Sequence, residues 1–183
     1  MTAAVSIPIG VVIAREDIDS QWEDHAWRPI GILPGAPLVN EWRELQRGDG
    51  WVHYHAATVP LELFRTETDS YKFNLEGREP VIYVVFSDEE DDEDEDDHPL
   101  GVHMVTACPY EAADYLDSGE LIVEPVAMPP ELFALVSDFV EEHHVEEKFK
   151  KRKRSELKVE EHKFGQEPIF ELRKRTKQES EYE

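Results

Sequence analysis

In the segment WVHYHAATV, His53 and His55 are spaced so that they could act together. Alternate side chains of an extended strand share a face, so both imidazoles could meet one metal ion. No carboxylate or thiolate follows at an informative ligand spacing, and eight histidines in one chain make chance pairs common. Ordinary packed or polar histidines are therefore the competing reading. His143 and His144 make a weaker pair, because adjacent helical residues point about 100° apart. His98, beside a run of acids, could join aspartates around a hard cation, but such a run is more often simply solvated. Cys108 precedes Pro109 where a helix would begin, a position that lowers a thiol pKa. No motif brings it a histidine base. Walker A, GxGxxG, GxSxG and HExxH patterns are absent, and no cofactor is implied.

The elements that would carry these groups can be read in order. Residues 5–14 (VSIPIGVVIA) are β-branched and aliphatic and read as a strand, with Pro8 arguing for an edge position or a bulge. Residues 27–33 give a second strand ending at the Pro34-Gly35 turn. Trp22, Trp27 and Trp42 lie close together along this region, as core packing or as a partner-facing surface. After the turn Gly48-Asp49-Gly50, residues 51–59 form a strand with Trp51, His53 and His55 on one face and Val52, Tyr54 and Ala56 on the other. Residues 61–64 and 71–75 can pair as a hairpin. The most continuous apolar strand, 80–86 (PVIYVVF), reads as central. It pairs with 101–107 in a second hairpin whose loop is acidic.

Residues 109–116 read as a short helix, with Pro109 in its first turn and Gly119 as its stop. Residues 121–126 are extended. From Met128 to Arg154 the chain reads as a closing helix: Leu132, Phe133, Leu135, Val136, Phe139, Val140 and His143 recur at helical spacing. The expected fold is α+β, with a mainly antiparallel, curled or barrel-like sheet, a short helix and a C-terminal closing helix. A flexible tail follows.

Charge divides the chain. Net charge is −23 over 183 residues; residues 1–147 carry −27 and residues 148–183 carry +4. This predicts an acidic β-rich domain over 1–147, with an acidic loop at 88–97, and a charged tail over 148–183. The acidic body opposes binding to nucleic acid or anionic membrane. No apolar run approaches the ~20 residues that span a bilayer, and the N-terminus lacks the basic start of a secretory signal. One cysteine fits a reducing compartment, so a cytoplasmic location is expected. In the tail, Phe164, Ile169 and Phe170 interrupt the polarity and suggest a short peptide motif.

Four segments carry a family resemblance: WEDHAWRPIGILPG (22–35), CPYEAADYLDSGELIVEPVAMP (108–129), FVEEHHVEEKFKKRKR (139–154) and FGQEPIF (164–170). Together they resemble an uncharacterised bacterial family whose members are encoded beside molybdenum-dependent formate dehydrogenase genes and their accessory proteins. The acidic run departs from the family's pattern, and the family supplies no catalytic residues to carry over. The resemblance implies a non-enzymatic accessory or adaptor protein that supports assembly, maturation or function of that enzyme. Its partner would be an oxidoreductase subunit or its chaperone. Candidate contacts are Trp22, Trp27, His143, His144, Phe149, Lys150, Arg152, Arg154, Phe164, Ile169 and Phe170. The rival reading is a small-ligand or metal-handling protein built on a Trp/His cluster of the sheet, with His53 and His55 as metal ligands.

Overall fold

Six consecutive buried positions, Ile9 to Ala14, lie in the middle of the first strand, β1 (Val5–Asp17). A strand buried on both faces reads as an unbroken apolar run rather than an alternation, and β1 lies between two antiparallel neighbours, β2 (His25–Pro34) and β4 (Trp51–Leu63). Pro8 therefore does not mark an edge. It faces Pro60 of β4, so two residues without an N–H donor meet across the ladder. The pairing with β2 begins only at the next residue, Ile9. The Pro8 carbonyl accepts from the N–H of Gly35 at 2.8 Å, where Gly35 adopts φ +69° and turns the chain out of β2.

The structure, a computed structural model, describes residues 3–88, 100–119 and 121–145. Among these, seven strands form one sheet in the order β2-β1-β4-β6-β5-β7. The additional strand β3 (Arg43–Gly48) joins β4 through the turn Asp49-Gly50. Further along β4 from β3, Leu61 makes the one parallel step among the described residues, to Val105 of β6 (Leu100–Thr106). β6 and β5 (Val81–Asp88) form the expected antiparallel hairpin, and β7 (Leu121–Ala127) covers the other edge of β5. Register shifts at Val11/Val12 and Val12/Ile13 put bulges on both sides of β1. Bulges bend strands and increase twist; here β2 and β7 approach each other, and the sheet is nearly closed and barrel-like.

Ile9, Val11, Ile13, Leu61, Leu63, Ile82, Val84, Phe86 and Val105 fill the core from the sheet. The last helix, α3 (Pro130–His143), contributes Leu132, Val136, Phe139 and Val140, an i, i+4, i+7, i+8 stripe. Each fully buried aliphatic or aromatic side chain contributes about 1.5–3 kcal/mol. The inner half of the predicted helix is thus observed, but the helix ends at His143. His144 is extended (φ −73°, ψ 124°), because its ring turns back onto Thr68 and Asp69. The predicted pairing of 61–64 with 71–75 is also corrected. β4 continues to Leu63, a short 3-10 turn follows (Arg65–Glu67), and Thr68–Leu75 forms helix α1.

Candidate functional site

Helix α1 carries its own explanation of why it was hidden. Three of its four buried side chains are polar: Thr68, Ser70 and Asn74, with Tyr71 the exception. Asn74 donates to the carbonyls of Val81 (2.8 Å) and Ala107 (2.9 Å) and accepts from the Val81 N–H (3.1 Å). It therefore ties α1 to the start of β5 and the end of β6. Tyr71 packs its ring against Phe139 of α3, with centroids 6.2 Å apart. Its hydroxyl accepts from the Phe64 N–H at 3.1 Å. Burial pushes the phenol up to about 12.

Helix α2 (Pro109–Ser118) forms where the sequence predicts a short helix over 109–116, with Cys108 as N-cap, Pro109 in the first turn and Gly119 (φ +70°) as the stop. The Cys108 sulfur accepts from the Glu111 N–H at 3.4 Å. It lies 2.9 Å from Ser70 Oγ and 3.5 Å from Glu67 Oε2. The helix-start position was expected to lower the thiol pKa. It is raised instead: burial dominates, the Ser70 hydroxyl and the backbone N–H groups of Glu111 and Tyr110 oppose it, and the Glu67 carboxylate adds to the rise. Cys108 is a neutral, hydrogen-bonded thiol.

An open cleft of about 370 Å³ is lined by Phe64, Glu67, Tyr110, Glu111 and Asp114. Tyr110 and Asp114 are four residues apart on α2, which places them on one helix face. At the helix pair, the rings of Phe73 and Tyr110 stack, with centroids 6.3 Å apart and planes at 21°. Both are exposed, Phe73 by 63% and Tyr110 by 58%. His144, at the end of α3, places Nδ1 3.4 Å from Thr68 Oγ1 and 3.4 Å from Asp69 Oδ1.

The residues singled out from sequence fall in other places. Trp22 is 91% exposed. Trp27 packs edge-on against Trp42 at 5.7 Å, and both contact Tyr54, at 6.2 and 5.8 Å. His53 stacks on Trp51 at 4.3 Å. His55 is buried, and its Nε2 lies 3.0 Å from Thr58 Oγ1. That hydroxyl donates its one proton to the Pro37 carbonyl at 2.7 Å, so the imidazole Nε2–H is the donor to it. Burial lowers the His55 pKa; a backbone hydrogen bond at Ala57 opposes this, and Arg43 adds to the lowering. Among the described residues no group of three or more His, Cys, Asp or Glu side chains is placed to hold a metal. His143 packs on Phe139 at 4.7 Å. Phe149, Lys150, Arg152, Arg154, Phe164, Ile169, Phe170 and most of the acidic run, His98 included, lie outside the described residues.

The cleft itself was not anticipated. The signal available was the segment CPYEAADYL, which places an aromatic and two acids on the first turns of a helix. The rest of the cleft's lining, Phe64 and Glu67, comes from a part of the chain about 40 residues earlier, just ahead of the helix that the sequence pattern does not show.

A family model described as "Protein of unknown function (DUF3305)" matches residues 8–153. The chain belongs to the DUF3305 family. The match takes in the three α-helices of the described residues, the strands from Pro8 of β1 onward and every residue that lines the cleft. No curated protein and no solved structure matches this DUF3305 chain. Among its described residues no helix is long and apolar enough to cross a membrane.

Proposed function

We propose that this DUF3305 protein is a non-enzymatic accessory or adaptor protein that works by holding another protein. The observation that carries this reading is the stacked, solvent-exposed pair Phe73–Tyr110, with Tyr110 lining an open cleft. Large exposed aromatics are costly on a solitary domain and are the residue types that dominate binding at protein interfaces. Trp22, 91% exposed, adds a second apolar contact on the loop between β1 and β2.

The partner we propose is a subunit of a molybdenum-dependent formate dehydrogenase, or the chaperone of one, with the chain supporting assembly, maturation or function of that enzyme. The four sequence segments that carry the family resemblance support this half of the proposal; one of them, 108–129, supplies Tyr110, Glu111 and Asp114 to the cleft.

Affinity purification of the full-length protein at native expression, with formate dehydrogenase components detected by mass spectrometry, tests it. Enrichment of such a component over an unrelated acidic control is the expected result. Its absence would overturn the assignment of the partner.

A further inference from the structure

We infer that the cleft between the turn Phe64–Glu67 and α2 is the docking surface, and that its occupant is a basic peptide segment of a partner protein bearing an apolar or aromatic side chain. This rests on the accessory-protein reading and names the chemistry of what is held.

The first argument is shape. The cleft, at about 370 Å³, is at the small end of the range for ligand sites, about 300–1,000 Å³. It has room for one anchoring side chain of an otherwise extended chain. Phe64 offers that side chain an apolar wall, and the stacked rings of Phe73 and Tyr110 continue the apolar surface outward.

The second argument is charge. Three carboxylates, Glu67, Glu111 and Asp114, line the cleft, and no Lys or Arg is among the lining residues described. Glu67 Oε2 is 3.5 Å from the Cys108 sulfur, a contact that brings it no positive charge. Lysine or arginine side chains flanking the anchor would meet these carboxylates, and a guanidinium can also lie over an exposed aromatic face. A body carrying −27 over residues 1–147 steers such a segment in and repels acidic ones. An uncharged apolar peptide would satisfy the rings and leave the acids unused; a purely polybasic one would do the reverse.

The test uses the full-length protein and a labelled twelve-residue peptide of Lys, Arg and Gly with one central Trp, measured by fluorescence anisotropy. Comparison peptides replace the Trp by Gly or the basic residues by Glu. The variants are Phe73→Ala/Tyr110→Ala and Glu111→Gln/Asp114→Asn; Phe73, Tyr110 and Asp114 are exposed and Glu111 is half-buried, and unfolding midpoints check that the fold is retained. The expected result is that the aromatic double variant weakens binding about tenfold or more, as for interface anchors. The charge variant should weaken it several-fold and flatten its salt dependence. The Glu peptide should not bind.

Equal binding to wild type and both variants would overturn the inference, because the peptide would then be reading the acidic surface as a whole. So would concentration-dependent dimerisation that the aromatic variant abolishes without any peptide binding, which would make a second copy the occupant. The accessory reading fails separately. If wild type and the aromatic variant both retain a formate dehydrogenase component, only the docking surface is wrong. If peptide binding behaves as expected and no component is retained, only the partner is wrong.

Discussion

Removing the Asn74 side chain tests the internal logic of the fold most sharply. Asn74 is 6% exposed, and its amide makes three hydrogen bonds to the backbone of Val81 and Ala107. In Asn74→Ala one N–H and two carbonyls lose their partner. At about 1 kcal/mol net per bond, and more where a group is left dry, the loss comes to about 3 kcal/mol. That is a large share of the roughly 5–15 kcal/mol that holds a typical domain folded. For a body of this size each kcal/mol moves the melting midpoint by about 2–4 °C, so a fall of about 6–12 °C is expected in a thermal melt followed by circular dichroism. Asn74→Asp keeps the shape and the acceptor but turns both donations into carboxylate–carbonyl repulsions, and should cost at least as much. Urea unfolding gives the free energy directly. If both variants fall within about 0.5 kcal/mol of wild type, the clamp is not what joins α1 to the sheet.

Three further outcomes follow from the packing and electrostatics. In Gly10→Ala the new Cβ would lie 2.7 Å from His55 Nε2 and 2.8 Å from the Ala36 Cβ, an overpacking that should cost about 1–3 kcal/mol in urea unfolding; His55→Ala should recover part of it. The Tyr71 phenol, pushed up to about 12 when folded against an unfolded value of 10.0, contributes stability that is fully present below pH 10 and is lost as pH rises toward 12. Burial also raises the Tyr83 phenol, so ultraviolet titration should show more than one late-ionising tyrosine, and Tyr71→Phe should remove the latest step. Cys108, buried with a raised pKa, should react with Ellman's reagent at pH 8 more than tenfold slower in the native protein than in urea, since the thiolate is the nucleophile; equal rates would contradict the geometry around Ser70 and Glu67.

What could be read from the sequence followed the apolar pattern. The runs in β1 and β5, the Pro109 and Gly119 punctuation of α2 and the stripe Leu132–Val136–Phe139–Val140 each gave an element of the right kind and place. Where burial is polar, that pattern is silent. Thr68, Ser70 and Asn74 face inward because backbone groups and a thiol need partners there, so α1 looked like one half of a hairpin. RELQRG carries no alternation, and β3 forms because a turn at Asp49-Gly50 folds it onto β4. Pro8 argued for an edge, but a proline opposite it on β4 removes the conflict. His53 and His55 do occupy the expected strand. One is stacked on Trp51 and the other is committed to Thr58, details of neighbours that spacing alone does not supply. The cleft was hidden for the same reason, since Glu67 and Glu111 line it together only because the chain turns at Arg65–Glu67 into a helix that the pattern did not show.

The account turns on whether Phe73 and Tyr110 hold a partner. The most direct measurement is the ratio of formate dehydrogenase subunit to bait after affinity purification, for the full-length protein and for Phe73→Ala/Tyr110→Ala expressed at the same native level. A subunit retained by wild type and reduced about tenfold or more in the variant is the predicted result, as for the loss of interface anchors. Wild type that retains no subunit, or a variant that retains as much as wild type, would contradict it.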